Sequence, residues 1–166
     1  MRLRLLIVRH GAAGDREQFA TTGRPDELRP LTKAGKRDVE LVTRGLRRII
    51  PAIDTLATSP LVRARQTAEI IAGAYDIPVV ETAALEPDAP FSDFVQWAER
   101  GAKGDVTAIV GHEPHLSGLI AWLIGAGDEA HISLKKSGAC LLRFDTMAAQ
   151  RGGTLLWLAT PKLIRG

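Results

Sequence analysis

The stretch Leu3-Arg4-Leu5-Leu6-Ile7-Val8-Arg9-His10-Gly11 decides the fold. Its nearly continuous apolar run has the character of a strand buried on both faces, and it stops at a charged pair followed by glycine. A secretory signal needs a longer apolar core, and Arg9-His10 cuts this one short. Leu3 to Val8 therefore reads as a first strand that delivers two polar side chains at its carboxyl end.

Working outward, Gly11 to Pro30 is polar and glycine-containing, too irregular for a regular element, and is expected to be a functional loop that folds as a flap over a site. Thr32 is expected to N-cap a helix in which Val39, Val42, Leu46, Ile49 and Ile50 recur at helical spacing until Pro51. Ile53 to Thr58 is the second strand. Ser59 as cap and Pro60 at the first helical position open the next helix, which runs through Ala64, Thr67, Ala68 and Ile71 to Gly73. A short strand spans Ile77 to Val80, Ser92 caps a helix through Trp97 to Arg100, and Val106 to Val110 is the fourth strand. Pro114 opens a helix through Leu116, Leu119, Ile120 and Leu123. Two last strands, Ala139 to Phe144 and Thr154 to Ala159, flank a turn near Gly152-Gly153. The alternation predicts the α/β class: a three-layer α/β/α sandwich around a mostly parallel, mixed sheet of about six strands, in a single domain over residues 1–166.

The 166 residues, 45% hydrophobic and 25% charged, suit one globular domain. No apolar run approaches the ~20 residues of a membrane span, so no membrane partner is expected. The single cysteine, Cys140, excludes an intramolecular disulfide and suits a reducing compartment, with cytoplasm as the expected location. A formal charge of +3 is mild, and the cations are scattered rather than striped with aromatics. Nucleic acid is not an expected partner, and anionic substrates are favoured weakly.

In open α/β sheets, ligands bind outside the carboxyl ends of the strands. Arg9 and His10 end the first strand, Arg63 lies in the first turn after the second, and His112 follows the fourth. Two histidines and two arginines on one edge suggest an anion pocket, since guanidinium matches phosphate oxygens and imidazole can attack phosphorus or donate to it. Gly11 would let the backbone approach a bound phosphate, and the helix beginning near Pro60 would add a favourable dipole. Two guanidinium groups would also keep His10 unprotonated.

Four segments together resemble the histidine phosphatase superfamily, and within it the small SixA-type phosphohistidine phosphatases. They are Leu6 to Gly11, Arg29-Pro30-Leu31-Thr32-Lys33-Ala34-Gly35, Thr58-Ser59-Pro60-Leu61-Val62-Arg63-Ala64-Arg65-Gln66-Thr67-Ala68 and Val110-Gly111-His112-Glu113-Pro114. The resemblance implies a phosphoglycerate mutase-like fold. It also implies a phosphatase that needs neither metal nor cofactor, with His10 as the nucleophile, Arg9 and Arg63 binding phosphate and His112 as the second pocket histidine. Relatives acting on phosphoesters carry an acid on an insertion between the segments of Arg63 and His112. Here that interval is short, so the resemblance favours a histidine-phosphorylated protein as substrate. Glu86 is the nearest candidate acid and Asp88 a weaker one.

Two other readings stand beside it. One is a phosphatase for a small phosphorylated metabolite, nucleotide or polyphosphate, with Glu86 as general acid; the other is a non-catalytic phosphoprotein-binding module. The physiological substrate and the oligomeric state are not legible. His112 and His115 have metal-pair spacing but no convincing third ligand. His115 is expected on the helix surface or pocket rim, and Glu113 at a helix start. Lys135-Lys136 reads as a solvated turn with a substrate contact as the alternative, Cys140 as core, and Arg65 as a surface helix residue. Trp97, Trp122 and Trp157 read as core or half-buried packing.

Overall fold

The computed structural model describes residues 2–127 and 130–166. In chain order it contains β1 (Leu3–Arg9), α1 (Arg16–Ala20), a 3-10 turn (Asp26–Leu28), α2 (Lys33–Ile49), β2 (Thr55–Thr58), α3 (Val62–Tyr75), β3 (Val79–Glu81) and a second 3-10 turn (Ala83–Leu85). There follow α4 (Phe91–Gly101), β4 (Val106–Gly111), α5 (His115–Ile124), β5 (Ala139–Phe144), β6 (Thr154–Ala159) and α6 (Pro161–Arg165). The strands form one six-stranded sheet in the order β3-β2-β4-β1-β5-β6. β3, β2, β4 and β1 run parallel, and β5 is antiparallel to both β1 and β6.

Alternation along β1 separates the two cores, because successive side chains of a strand point to opposite faces. Leu3, Leu5 and Ile7 join Phe94 of α4 and Leu116, Leu119 and Leu123 of α5. Leu6 and Val8 join Val42 and Leu46 of α2, Ala64, Ala68 and Ile71 of α3, and Ile164 of α6. The sheet is therefore the middle of three layers, which is why β1 reads as an almost unbroken apolar run.

Local chemistry shifts several boundaries. The segment from Gly11 to Pro30 is not irregular throughout: Asp15 accepts from the Gln18 N–H at 2.8 Å and caps α1, and the chain is then pinned by Gly14 N–H to Pro30 O and Thr32 N–H to Ala12 O. Thr32 does cap α2, accepting from the Gly35 N–H. Ser59 does not cap α3, which starts two residues beyond Pro60 with Leu61 at its cap position. Its N–H still donates to Val110 O, so Ser59 prolongs the strand instead. Ser92 does not cap α4 either; the helix starts at Phe91 with Pro90 at its cap position, two residues earlier than a Ser92 cap would set it, leaving Ser92 in its first turn. β2 and β3 begin two residues later than expected, at Thr55 and Val79. The short α6, capped by Thr160 with Pro161 at its start, was not expected.

Candidate active site

Strand register assembles the site. Arg9 pairs with Gly111 across the parallel β1–β4 ladder, so the residues that follow, His10 and His112, emerge side by side. The His10 N–H donates to Gly111 O at 3.0 Å, and the two rings lie 5.1 Å apart between centroids. On the other flank of β4, Thr58 of β2 pairs with Val110, which brings Ser59 beside His112 and starts α3 with Arg63 at its second residue. A cavity of about 530 Å³ results, lined among others by Arg9, His10, Arg29, Arg63, His112 and Lys136.

His10 is only 7% exposed, and its Nδ1 sits 2.7 Å from Gly11 O. A carbonyl can only accept, so Nδ1 carries the proton and donates, leaving the lone pair on Nε2. Burial pushes the His10 pKa down to about 4; the bond to Gly11 opposes this, while Arg63, Arg9 and Arg29 reinforce it. The expectation that cations keep His10 neutral is thus refined: desolvation acts first and the arginines assist.

His112 is held still more firmly neutral, at about 2, by burial first and then by His10 and Arg63. Ser59 Oγ lies 2.8 Å from His112 Nε2 and already accepts from the Leu61 N–H at 3.3 Å. Nε2 of His112 is thus engaged by the Ser59 hydroxyl, which leaves Nδ1 as its unengaged ring nitrogen. That Nδ1 is buried and has no protein partner.

The arginines are anchored in the same manner. Arg9 donates from Nη1 to Leu134 O at 2.9 Å, and Arg63 from Nη1 to Asp26 O at 3.1 Å with the Asp26 carboxylate 3.3 Å away. In each, Nε is buried without a partner. The guanidinium groups and two imidazoles lining one cavity suit an oxygen-rich anion, since the planar fork of arginine matches its oxygens.

Arg29 and its partner Asp26, neither selected as a site residue from the sequence, belong here with Ser59. Arg29 is buried, donates to Asp26 Oδ1 at 2.8 Å and to Gly14 O at 2.7 Å, and lines the cavity. The Arg29 hydrogen bond, assisted by charge from Arg63 and Arg16, holds the Asp26 carboxyl below its ordinary value. Arg29 opens the second of the four segments that carry the family resemblance, but a lone Arg-Pro in a loop has no periodic signal, and its place in the site follows only from the fold of residues 11–30.

Gly11 departs from its expected role. A Cβ there would meet Val39 Cγ2 at 2.6 Å, and its N–H is already given to Thr67 Oγ1 at 3.1 Å. It permits close packing of β1 against α2 rather than backbone contact with an anion. Glu86 is exposed and lines an adjoining cavity with Arg63, not the cavity of His10. His115 is not on a surface or rim; it is buried and donates from Nε2 to Ala89 O at 2.9 Å. Glu113 accepts from the amide and hydroxyl of Ser117 in the first turn of α5, as a helix-start carboxylate should. Cys140 is buried, Arg65 half-exposed, and the three tryptophans half-buried. Among the described residues, no group of three or more His, Cys, Asp or Glu side chains could hold a metal ion, and no helix is long and apolar enough to cross a membrane.

Residues 5–86 match the model of the histidine phosphatase superfamily (branch 1), a span that contains Arg9, His10, Arg63 and Glu86. An uncharacterized protein of Picosynechococcus sp. is 36% identical over 166 residues, covering 96% of this chain and 98% of the relative. Among solved structures, the protein histidine phosphatase SixA in complex with tungstate superposes with a TM-score of 0.79 at 22% identity, covering 98% of this chain and 99% of the other. A protein of Escherichia coli K-12 described as an alpha-ribazole-5'-P phosphatase gives 0.75 at 20%, covering 96% and 97%. The fold is thus shared by phosphatases described for quite different substrates. By family, this chain is a phosphatase of the histidine phosphatase superfamily, with the mixed α/β sheet of its SixA-like members.

Proposed function

We propose that the protein removes phosphate from phosphohistidine in a protein substrate, through a phospho-His10 intermediate. The observation that carries this reading is the His10 ring itself, neutral, fixed by Gly11 O and free at Nε2 within a cavity of arginines. In the first step Nε2 attacks phosphorus as the bond to the leaving imidazole breaks. In the second, water attacks phospho-His10 and inorganic phosphate departs. Arg9, Arg29 and Arg63, with His112 donating from Nδ1, stabilise the charge on the equatorial oxygens. Ser59 acts through His112 as a positioning residue.

Leaving-group chemistry favours phosphohistidine. A protonated phosphoimidazole expels neutral imidazole, whereas an alkoxide needs a proton from a general acid. The carboxylates lining the His10 cavity are Asp15 and Glu113, and both act as acceptors of backbone N–H groups. Asp26, beside Arg63, is held ionised by its arginines. Both oxygens of Glu113 are thus engaged by Ser117, and Asp15 is engaged through Oδ1 as a helix cap.

A second reading, a phosphatase for a small phosphorylated metabolite with Glu86 as acid, draws on one observation: Arg63 is shared between the His10 cavity and the one that Glu86 lines. The test is to incubate the enzyme with a histidine-phosphorylated protein and with phosphomonoesters, then examine His10 by mass spectrometry without acid treatment. Phosphate on His10 during turnover, abolished activity in His10→Ala and preference for the protein are expected. Preference for esters together with their loss in Glu86→Gln would favour the second reading. Full activity of His10→Ala would overturn the mechanism.

A further inference from the structure

We propose that Lys135, Lys136 and Lys162 form a basic shelf that docks an acidic surface of the phosphorylated protein substrate; this rests on the protein-phosphatase reading above. A cavity of about 580 Å³ adjoins that of His10 and shares Arg9 and Lys136 with it. Its remaining walls are Lys135, Thr160, Pro161, Lys162 and Arg165, with no carboxylate among them. Arg165 is held by Asp38 at 2.6 Å, but among the described residues Lys135, Lys136 and Lys162 have no ion-pair partner.

The lysines are not on a loose loop. The Ser137 N–H lies 3.2 Å from both Arg9 O and His10 O, the Arg9 N–H donates to Gly138 O at 3.1 Å, and the Gly138 N–H donates to Lys135 O at 2.7 Å. Ser137 adopts φ 62°, in the left-handed region, which turns the chain sharply at that point. The backbone that carries Lys135 and Lys136 is therefore bonded to the backbone of the nucleophile, while their side chains are exposed.

The opposite side of the mouth has the reverse sign. The cavity adjoining at Arg16 and Arg63 is lined by Glu27, Glu86, Asp88 and Asp93. A ligand whose phosphate reaches His10 thus meets a basic wall on one side and an acidic wall on the other. The chemistry of the shelf points to a protein rather than a second phosphate. The His10 cavity is lined by arginines fixed to Leu134 O, Gly14 O and Asp26 O, whereas the shelf offers exposed ammonium groups beside Pro161. Exposed charges at the edge of an interface steer association and fix orientation, and contribute little as a buried site would.

The experiment compares wild type with Lys135→Glu/Lys162→Glu on two substrates, phosphoramidate and a protein phosphorylated on a histidine flanked by acidic residues, across a salt series. Wild-type kcat/KM on the protein should fall as salt rises. The variant should be about tenfold lower at low salt, through KM, with a flatter salt response, because reversing edge charges acts on encounter. Turnover of phosphoramidate should be unchanged, and Lys135→Arg/Lys162→Arg should behave as wild type. Equal loss on both substrates, or an unchanged variant on the protein, would each overturn the shelf. Wild type that cleaves phosphoramidate but no phosphohistidine protein would instead sink the functional reading and the shelf with it, an outcome distinct from shelf failure alone.

Discussion

At the scale of single residues, the site works through which nitrogen of each histidine is engaged. His10 gives Nδ1–H to its neighbour's carbonyl, and His112 has Nε2 beside Ser59. Two consequences are measurable. The nucleophile must be unprotonated, and with its pKa near 4 rather than 6.5 the acid limb of kcat/KM should fall only below about pH 4. A limb centred near 6.5 in the pH profile would contradict a buried, neutral His10. Ser59→Ala removes the hydroxyl that engages His112 Nε2. Nitrogen NMR of the ring should show Nδ1 protonated in the wild type and a tautomer mixture in the variant, with kcat about tenfold lower as one positioned proton donor is lost. An unchanged ring spectrum would remove Ser59 from the mechanism. Arg9, His10, Arg63 and His112 were all legible as a set at strand ends. Arg29 and Ser59 were not selected, because their importance lies in partners 15 and 53 residues away, Gly14 and His112.

At the scale of elements, α2 approaches two backbone segments so closely that glycine is required. A Cβ on Gly35 would meet Ala12 O at 2.1 Å, and one on Gly45 would meet Ile164 O at 1.9 Å. Both obstacles are backbone, which cannot swing aside as a side chain would. Gly35→Ala should displace the segment after His10 and reduce activity more than stability. Gly45→Ala should separate α6 from α2 and lower the urea-unfolding free energy by about 2 kcal/mol, with activity largely retained in the folded fraction. Assaying both variants at a temperature where each is folded distinguishes the effects. The long helices were readable from their apolar periodicity. The short ones were harder: α1 and α6 have five residues each, too few for a periodic stripe, and only caps such as Asp15 and Thr160 announce them.

At the scale of the whole molecule, folding stores two imidazoles as neutral groups. His10 and His112 titrate near 4 and 2 in the folded protein, well below the ordinary 6.5 that the unfolded chain recovers. Below pH 6.5 the unfolded chain therefore binds more protons, and stability that is fully present above that pH is lost as pH falls toward 4. The shift of His10 corresponds to roughly 3 kcal/mol at the acid end. Urea unfolding followed from pH 7 to pH 4 should show the decline, with a shallower slope in His10→Ala; parallel slopes would mean that His10 does not stay neutral. The sequence by itself determined the class of the fold, since the nearly continuous apolar run of β1, broken only by Arg4, has the character of a strand buried on two faces. It also placed the polar groups at strand ends. Tertiary structure alone decided the rest: the β1–β4 register that sets His10 beside His112, the folding of residues 11–30 that brings Asp26 and Arg29 to Arg63, and the turn that fixes Lys135 and Lys136 against the nucleophile's backbone. Strand character follows from local pattern, but which strands pair, and in what register, depends on contacts about a hundred residues apart that no local pattern encodes.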